Sequence, residues 1–258
     1  MNRNREQKVR YEEMLPHQVV RARRERSVAF LPVGGIEWHG QHNCLGLDTV
    51  KIHALAMECA KAGGGLVFPP LFYGEPRQHY LMETNHDPSG KIKEKMKISE
   101  ESLQPGYMDE TQSEADFNYV KFLLRTMREL KSLEFKVVVL MAGHYPLLHH
   151  ARAAVELFNL QERGEARGWA ATGYELVQEE LPQAGDHAAA WETSLMMYLR
   201  PELVDMDRLP EDLEEELIGV MGQDPREHAS TEYGKKGTEL IVEKINGKIE
   251  ELLREVVG

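Results

Sequence analysis

Glu37 and His39 stand two residues apart in the segment Gly35-Ile36-Glu37-Trp38-His39-Gly40-Gln41-His42-Asn43-Cys44-Leu45-Gly46-Leu47-Asp48. In extended backbone, residues two apart point to the same side. Gly34, Gly35 and Gly40 let the chain turn around them. Together with Asp48 they offer carboxylate and imidazole donors, which suit Zn²⁺, Mn²⁺ or Fe²⁺. His144 closes a later apolar run, and Asp186, His187 and Glu192 gather in a third segment. Spacing alone leaves the reading open, because Asp48 also fits a helix cap and Glu37 and His39 also fit surface groups. Cys44 has glycines nearby and no base partner, so it reads as a packing residue rather than a nucleophile. His149 and His150 are adjacent within a helical stretch and cannot share a helix face.

These residues need elements to bring them together. Val28 to Val33 is a short apolar run ending in glycines, which reads as a buried strand and a loop. Residues 48–62 read as a helix stopped by Gly63 to Gly65, and Leu66 to Pro70 as a second strand. Phe117, Val120, Leu123, Leu124, Met127 and Leu130 predict a helix over 115–133 with one apolar face. Phe135 to Met141 is the clearest strand, followed by helix over 147–163, strand over 168–176 and helix over 191–199. A short amphipathic helix is expected within 1–27, and a long one over 234–256. Residues 74–114 show no clear period and read as a functional loop or excursion. Strands alternating with helices predict an α/β fold with a mainly parallel sheet and helices on both faces. In such folds the working groups sit in loops at the carboxyl ends of strands. The loops 34–48, 143–146 and 182–192 fit that description and hold the residues above.

Composition narrows the function. With 31 Lys and Arg against 43 Asp and Glu, the formal charge of the 258 residues is −12. Phosphate contact needs clustered Lys and Arg, so no nucleic-acid partner and no anionic membrane surface is expected. Two cysteines, Cys44 and Cys59, exclude a disulfide framework and a Cys-rich zinc fold. The apolar runs are far shorter than a membrane span. The charged first ten residues lack an apolar signal region, which leads to the expectation of a cytoplasmic protein.

Three motifs follow one another along the chain. The first is Leu31-Pro32-Val33-Gly34 through Glu37-Trp38-His39-Gly40, then His42 and Asp48. The second is Gly143-His144 after a β-rich strand, and the third is His187-Ala188-Ala189-Ala190-Trp191-Glu192-Thr193-Ser194. They span residues 28–200, and together they resemble the creatininase family (creatinine amidohydrolases). The resemblance implies a three-layer α/β/α sandwich over residues 1–258 as one domain, with a variable excursion about 85–112. It also implies a homo-oligomer, often a hexamer, and two divalent metal ions, Zn²⁺ and/or Mn²⁺, with Fe²⁺ compatible with the donors.

Carried over, Glu37 and His144 would ligate one metal, His39 the other, and Asp48 would bridge them. The family's remaining Glu falls at Pro146, so Glu192 is expected to replace it. His187 matches the proposed proton shuttle, and Tyr145 and His79 are expected to contact substrate. The implied reaction is attack of a metal-bridged hydroxide on a C–N amide bond of a small amide, cyclic amides included. Paired ions lower the pKa of a water between them and polarise the carbonyl, and an imidazole protonates the leaving nitrogen. A formamide deformylase, a short-peptide hydrolase and a catalytically degenerate metal-binding member stay open as alternatives. Pro76 departs from the family pattern at a substrate-contacting Ser, Pro146 at a metal-ligating Glu, and Ala190 at a carboxylate that would orient a metal ligand or help proton transfer.

Overall fold

The computed structural model describes residues 8–74, 87–103 and 110–257. Four strands form one sheet among them: β1 (Val28–Val33), β2 (Leu66–Val67), β3 (Val137–Ala142) and β4 (Arg167–Ala171). Their spatial order is β2-β1-β3-β4 and every pairing is parallel. All residues of β1 and β3 are buried, as expected for strands covered on both faces.

Side chains of these strands alternate between two cores. Val28, Phe30, Val137, Val139 and Met141 pack with Ile52, Leu55 and Ala56 of α2 (Leu47–Gly63) and Ile241 and Ile245 of α8 (Thr231–Val257). Trp191 and Leu195 of α6 (Ala190–Leu199) belong to the same layer. Ala29, Leu31, Val33, Val138, Leu140 and Ala142 face α4 (Gln112–Ser132) and α5 (Leu147–Glu162). The expected three-layer α/β/α arrangement with a parallel sheet is therefore observed. The remaining helices are α1 (Pro16–Glu25), α3 (Lys91–Met96) and α7 (Pro225–His228). No helix of the described residues is long and apolar enough to cross a membrane.

Three local readings need correction. Phe117 is not on the buried face of α4; it is 68% exposed, and the buried stripe is Ala115, Tyr119, Leu123, Met127 and Leu130. That stripe runs mostly in steps of four, and position 117 lies half a turn away from it. The strand expected over 168–176 ends at Ala171, and Tyr174 to Leu176 form a 3₁₀ turn. Part of the irregular stretch is helical. Asp87 accepts hydrogen bonds from the backbone N–H groups of Ile92 and Lys93, at 3.1 and 2.8 Å. A carboxylate over the first turn stabilises a helix as short as α3.

The register of β1 on β3 positions the site. Val28 pairs with Val137 and each following residue stays in step to Val33 with Ala142. Both strands end at the same level, so the loops that leave them start side by side. From β1 the chain crosses first to β2 on one side and later to β3 on the other. The crevice at that switch point is where open α/β sheets bind ligands.

Candidate metal centre

The loop leaving β1 carries Glu37 and His39 back over the start of α2. Gly34 permits this, because a Cβ there would lie 2.7 Å from the Thr49 Cα. Asp48, in the first turn of α2, is 1% exposed and points into the crevice. The helix N-terminus favours its negative charge. Gly143 ends the β3 side with similar closeness: a Cβ at residue 143 would overlap the Asp48 carbonyl oxygen. His144 thereby comes within reach, its Nδ1 2.9 Å from Asp48 Oδ2 and 3.4 Å from Glu37 Oε1.

The other Asp48 oxygen faces a second group. His39 Nε2 lies 3.4 Å from Asp48 Oδ1 and 3.6 Å from Glu192 Oε2. The His39 Nδ1–H donates to the Glu37 carbonyl at 3.1 Å. This commits Nδ1 to the carbonyl, so Nε2 is the ring nitrogen that faces the carboxylates, an arrangement common to metal-binding histidines. His39 is fully buried, and its Nε2 makes no hydrogen bond among the described residues. A buried, unbonded imidazole nitrogen aimed at two carboxylates fits a divalent ion, since an orphaned polar atom is otherwise costly. Among the described residues, three groups bring donor atoms within 4.8 Å of one another: Glu37-Asp48-His144, His39-Asp48-Glu192 and Glu37-His39-His187.

Charges in the crevice are mutually held. Burial alone would raise the pKa of Glu37, but hydrogen bonds from His144 and His187 reverse this and keep it below the usual carboxylate range. Burial opposes ionisation of Asp48 as well, and the nearby His39 and Lys51 charges hold it well below its ordinary value. Burial lowers the pKa of His39 while Asp48, Glu192 and Glu37 raise it, with a net rise to about 9. Burial and the Glu192 charge push Asp186 up to about 7.

His187 sits at the rim, one quarter exposed, with Nδ1 3.2 Å from Glu37 Oε1. Its Nε2–H donates to the Trp38 carbonyl at 2.8 Å, which sets the ring orientation. Ala188 adopts a left-handed φ of 56°, unusual for a residue with a Cβ. Its N–H donates to Glu192 Oε2 at 2.8 Å, so the kink orients that carboxylate. Asp186 accepts the N–H groups of Trp191 and Glu192, at 2.7 and 3.2 Å, and caps the helix that presents Glu192. Thr193 Oγ1 bonds His42 Nε2 at 2.9 Å and Asn43 Nδ2 at 3.1 Å, tying the first loop to α6. Burial lowers the His42 pKa to about 4, which keeps that imidazole neutral.

The structure thus gathers Glu37, His39, Asp48, His144, His187 and Glu192. Tyr145 and Pro146 line the adjoining cavity of about 710 Å³, with Tyr174 5.4 Å from Tyr145. His79 and Pro76 lie outside the described residues, as do 85–86 and 104–109 of the 85–112 excursion. Trp191 is a core residue packed edge-on to Tyr233, as its helical position suggests. His150 is remote from the centre and bonds Asp116 at 3.0 Å. Burial raises the Cys44 thiol above its usual pKa, so it is not a thiolate nucleophile.

Sequence reasoning missed one charged residue. Lys51 is 6% exposed, and its Nζ lies 3.3 Å from Asp48 Oδ1 and also bonds Glu192 Oε1. These carboxylates outweigh burial and raise its pKa. Its signal was its place on α2, three residues after Asp48 and beside Ile52, Leu55 and Ala56 in an apolar run.

Similarity to known proteins follows the same residues. A family profile described as "Creatininase: Creatinine amidohydrolase" matches residues 12–88 and 111–248. A "Creatinine amidohydrolase" of Pseudomonas putida is 29% identical over 201 residues, covering 70% of this chain and 68% of that protein. "Crystal structure of creatinine amidohydrolase (creatininase)" superposes with a TM-score of 0.68 at 22% identity, covering 95% of this chain and 98% of that one. "Creatininase Mn" gives a TM-score of 0.68 at 23% identity with the same coverage.

Proposed function

The chain belongs to the creatininase family of amidohydrolases, and on that premise we propose that it hydrolyses a C–N bond of a small amide at a centre of two divalent metal ions. One observation carries the two-ion reading: the two oxygens of Asp48 face different donor groups. Oδ2 lies against His144 and Oδ1 against His39, so this one carboxylate would serve both donor groups. Glu37 and His144 complete one position, and His39 and Glu192 the other. Glu192 thereby supplies the carboxylate that Pro146 lacks. Divalent ions held there supply an acidified water and polarise the carbonyl of the scissile amide. Zn²⁺ and Mn²⁺ are proposed because the donors suit both and because similar structures include a mutant creatininase of "Zn-Zn type" and "Creatininase Mn".

The chain's own residues do the rest. His187 is the proton carrier. Its Nδ1 faces Glu37 at the edge of the cavity, while the Trp38 carbonyl prevents the ring from turning. A proton taken up at Nδ1 can be delivered to the leaving nitrogen. Tyr145 and Tyr174 offer an aromatic wall to a planar amide.

The cavity admits amides larger than creatinine, for which the formamide and short-peptide alternatives stand. Its volume of about 710 Å³ lies in the range that encloses drug-sized ligands, roughly 300–1,000 Å³. A single small ring would leave most of it wet. The test is hydrolysis by Zn²⁺- or Mn²⁺-loaded protein of creatinine, other cyclic amides and aryl formamides, measured as the carboxylate product: creatine, the ring-opened acid or formate. Turnover of any of these, lost on chelation and restored by metal, is expected. Full metal loading without turnover of any amide would overturn the hydrolase reading and leave a metal-binding protein.

A further inference from the structure

Residues 210–220 form neither helix nor strand, so their backbone polar groups need partners from elsewhere. One side chain collects four of the carbonyls. Arg226 donates through Nη1 to the Pro210 and Asp212 oxygens, at 3.2 and 2.7 Å. Through Nη2 it donates to those of Leu213 and Glu215, at 3.0 and 3.4 Å. Asp224 sets the plane of the guanidinium: Nε lies 3.0 Å from both carboxylate oxygens and Nη2 2.6 Å from Oδ2. The Arg226 side chain is only 10% exposed. A rigid planar fork can serve several acceptors at once, which a lysine ammonium on a flexible stem cannot do.

The far end of this loop is held independently. Met221 and His187 exchange backbone hydrogen bonds at 2.8 and 2.9 Å, and the Ala190 N–H donates to the Gln223 carbonyl at 3.0 Å. The Trp38 Nε1–H donates to the Ile218 carbonyl at 2.8 Å. Between the two anchored ends, Glu216 and Leu217 line the cavity beside the donor cluster. Glu216 also pairs with Lys91 of α3 at 2.9 Å, but both side chains are exposed, and such a pair adds little.

We propose that Arg226 is a positioning residue that sets substrate specificity: by gathering residues 210–215 it holds Glu216 and Leu217 as a preformed wall of the cavity. This inference rests on the amide-hydrolase reading. A wall fixed in advance needs no ordering when substrate binds. Loosening it weakens binding more than chemistry, because Ile218 and Met221 stay tied to Trp38 and His187. Large amides that reach the wall lose most, and small ones that stay at the donor cluster lose least.

The experiment compares metal-loaded wild type, Arg226→Lys and Asp224→Asn on an aryl formamide and on N-methylformamide, with formate as the product measured. Arg226→Lys should keep its metal content and nearly all of kcat, while KM for the aryl formamide rises about tenfold. KM for N-methylformamide should change little. Asp224→Asn keeps the fork but not the charge that orients it, and should shift KM in the same direction by less. Hydrogen exchange gives a readout independent of turnover: amides of residues 210–220 should exchange faster in Arg226→Lys, while those of β1 and β3 keep their protection. A merely structural role would lower kcat for both substrates alike and leave KM unmoved. That result, or unchanged exchange over 210–220, would overturn the proposal. If loaded wild type hydrolyses no amide, the hydrolase reading falls and the specificity role with it, whereas the exchange result still decides whether Arg226 fixes the loop.

Discussion

Gly143 and Asp48 belong to segments 95 residues apart, yet residue 143 has no room for a side chain because the Asp48 carbonyl oxygen occupies that space. This closeness is what brings His144 Nδ1 to 2.9 Å from Asp48 Oδ2. The β3 loop and the first turn of α2 are therefore one packed unit.

Gly143→Ala tests that unit without touching a donor atom. The added methyl must push the β3 loop away from α2. Overpacking of this kind costs roughly 1–3 kcal/mol, and the expected result is a lower denaturation midpoint with reduced metal content. Unchanged metal content would show that His144 does not depend on this contact.

His187 stands beside Glu37 in one of the three donor groups, so its role as proton carrier can be separated from a role as ligand. His187→Gln should retain both ions by elemental analysis and lower kcat by on the order of 10²–10⁴. The pH–rate profile should lose one limb. Loss of one ion would instead assign His187 as a ligand.

His39 links metal loading to pH. In the metal-free protein its pKa is raised from 6.5 to about 9 by Asp48, Glu192 and Glu37 against the cost of burial. The protonated imidazole stabilises the fold fully below about pH 6.5, and this contribution fades as pH rises through about 9. Its size is on the order of 3 kcal/mol. Urea midpoints of chelator-treated protein should therefore fall between pH 6.5 and 9.5, and metal-loaded protein should not share that fall. Binding near pH 7.5 should release a proton, seen as a buffer-dependent heat. A flat midpoint across this window would contradict the coupling.

Much of this architecture was legible in the chain. Val28 to Val33 and Val137 to Ala142 are apolar runs too short for helices, and parallel burial on both faces is why they lack polar alternation. Phe117 misled because hydrophobicity marks a helix face only when neighbours share its side, and the buried stripe of α4 runs elsewhere. The six clustered side chains were legible as types at strand ends. Their convergence depended on the in-step register of β1 and β3, which sequence does not display. Lys51 was missed because a lysine on a helix usually marks its wet side. Here its carboxylate partners, Asp48 and Glu192, let it sit at 6% exposure.

The bridging role of Asp48 is the central claim, and metal content of Asp48→Asn against wild type tests it most directly. Asparagine keeps the size and can accept through only one oxygen. Elemental analysis after dialysis against Zn²⁺ or Mn²⁺ should find about two ions per wild-type chain, as a two-metal centre requires, and far fewer in the variant, with both positions affected. Two ions retained in a folded Asp48→Asn protein would contradict the account, and so would loss of a single ion with the other held at wild-type affinity.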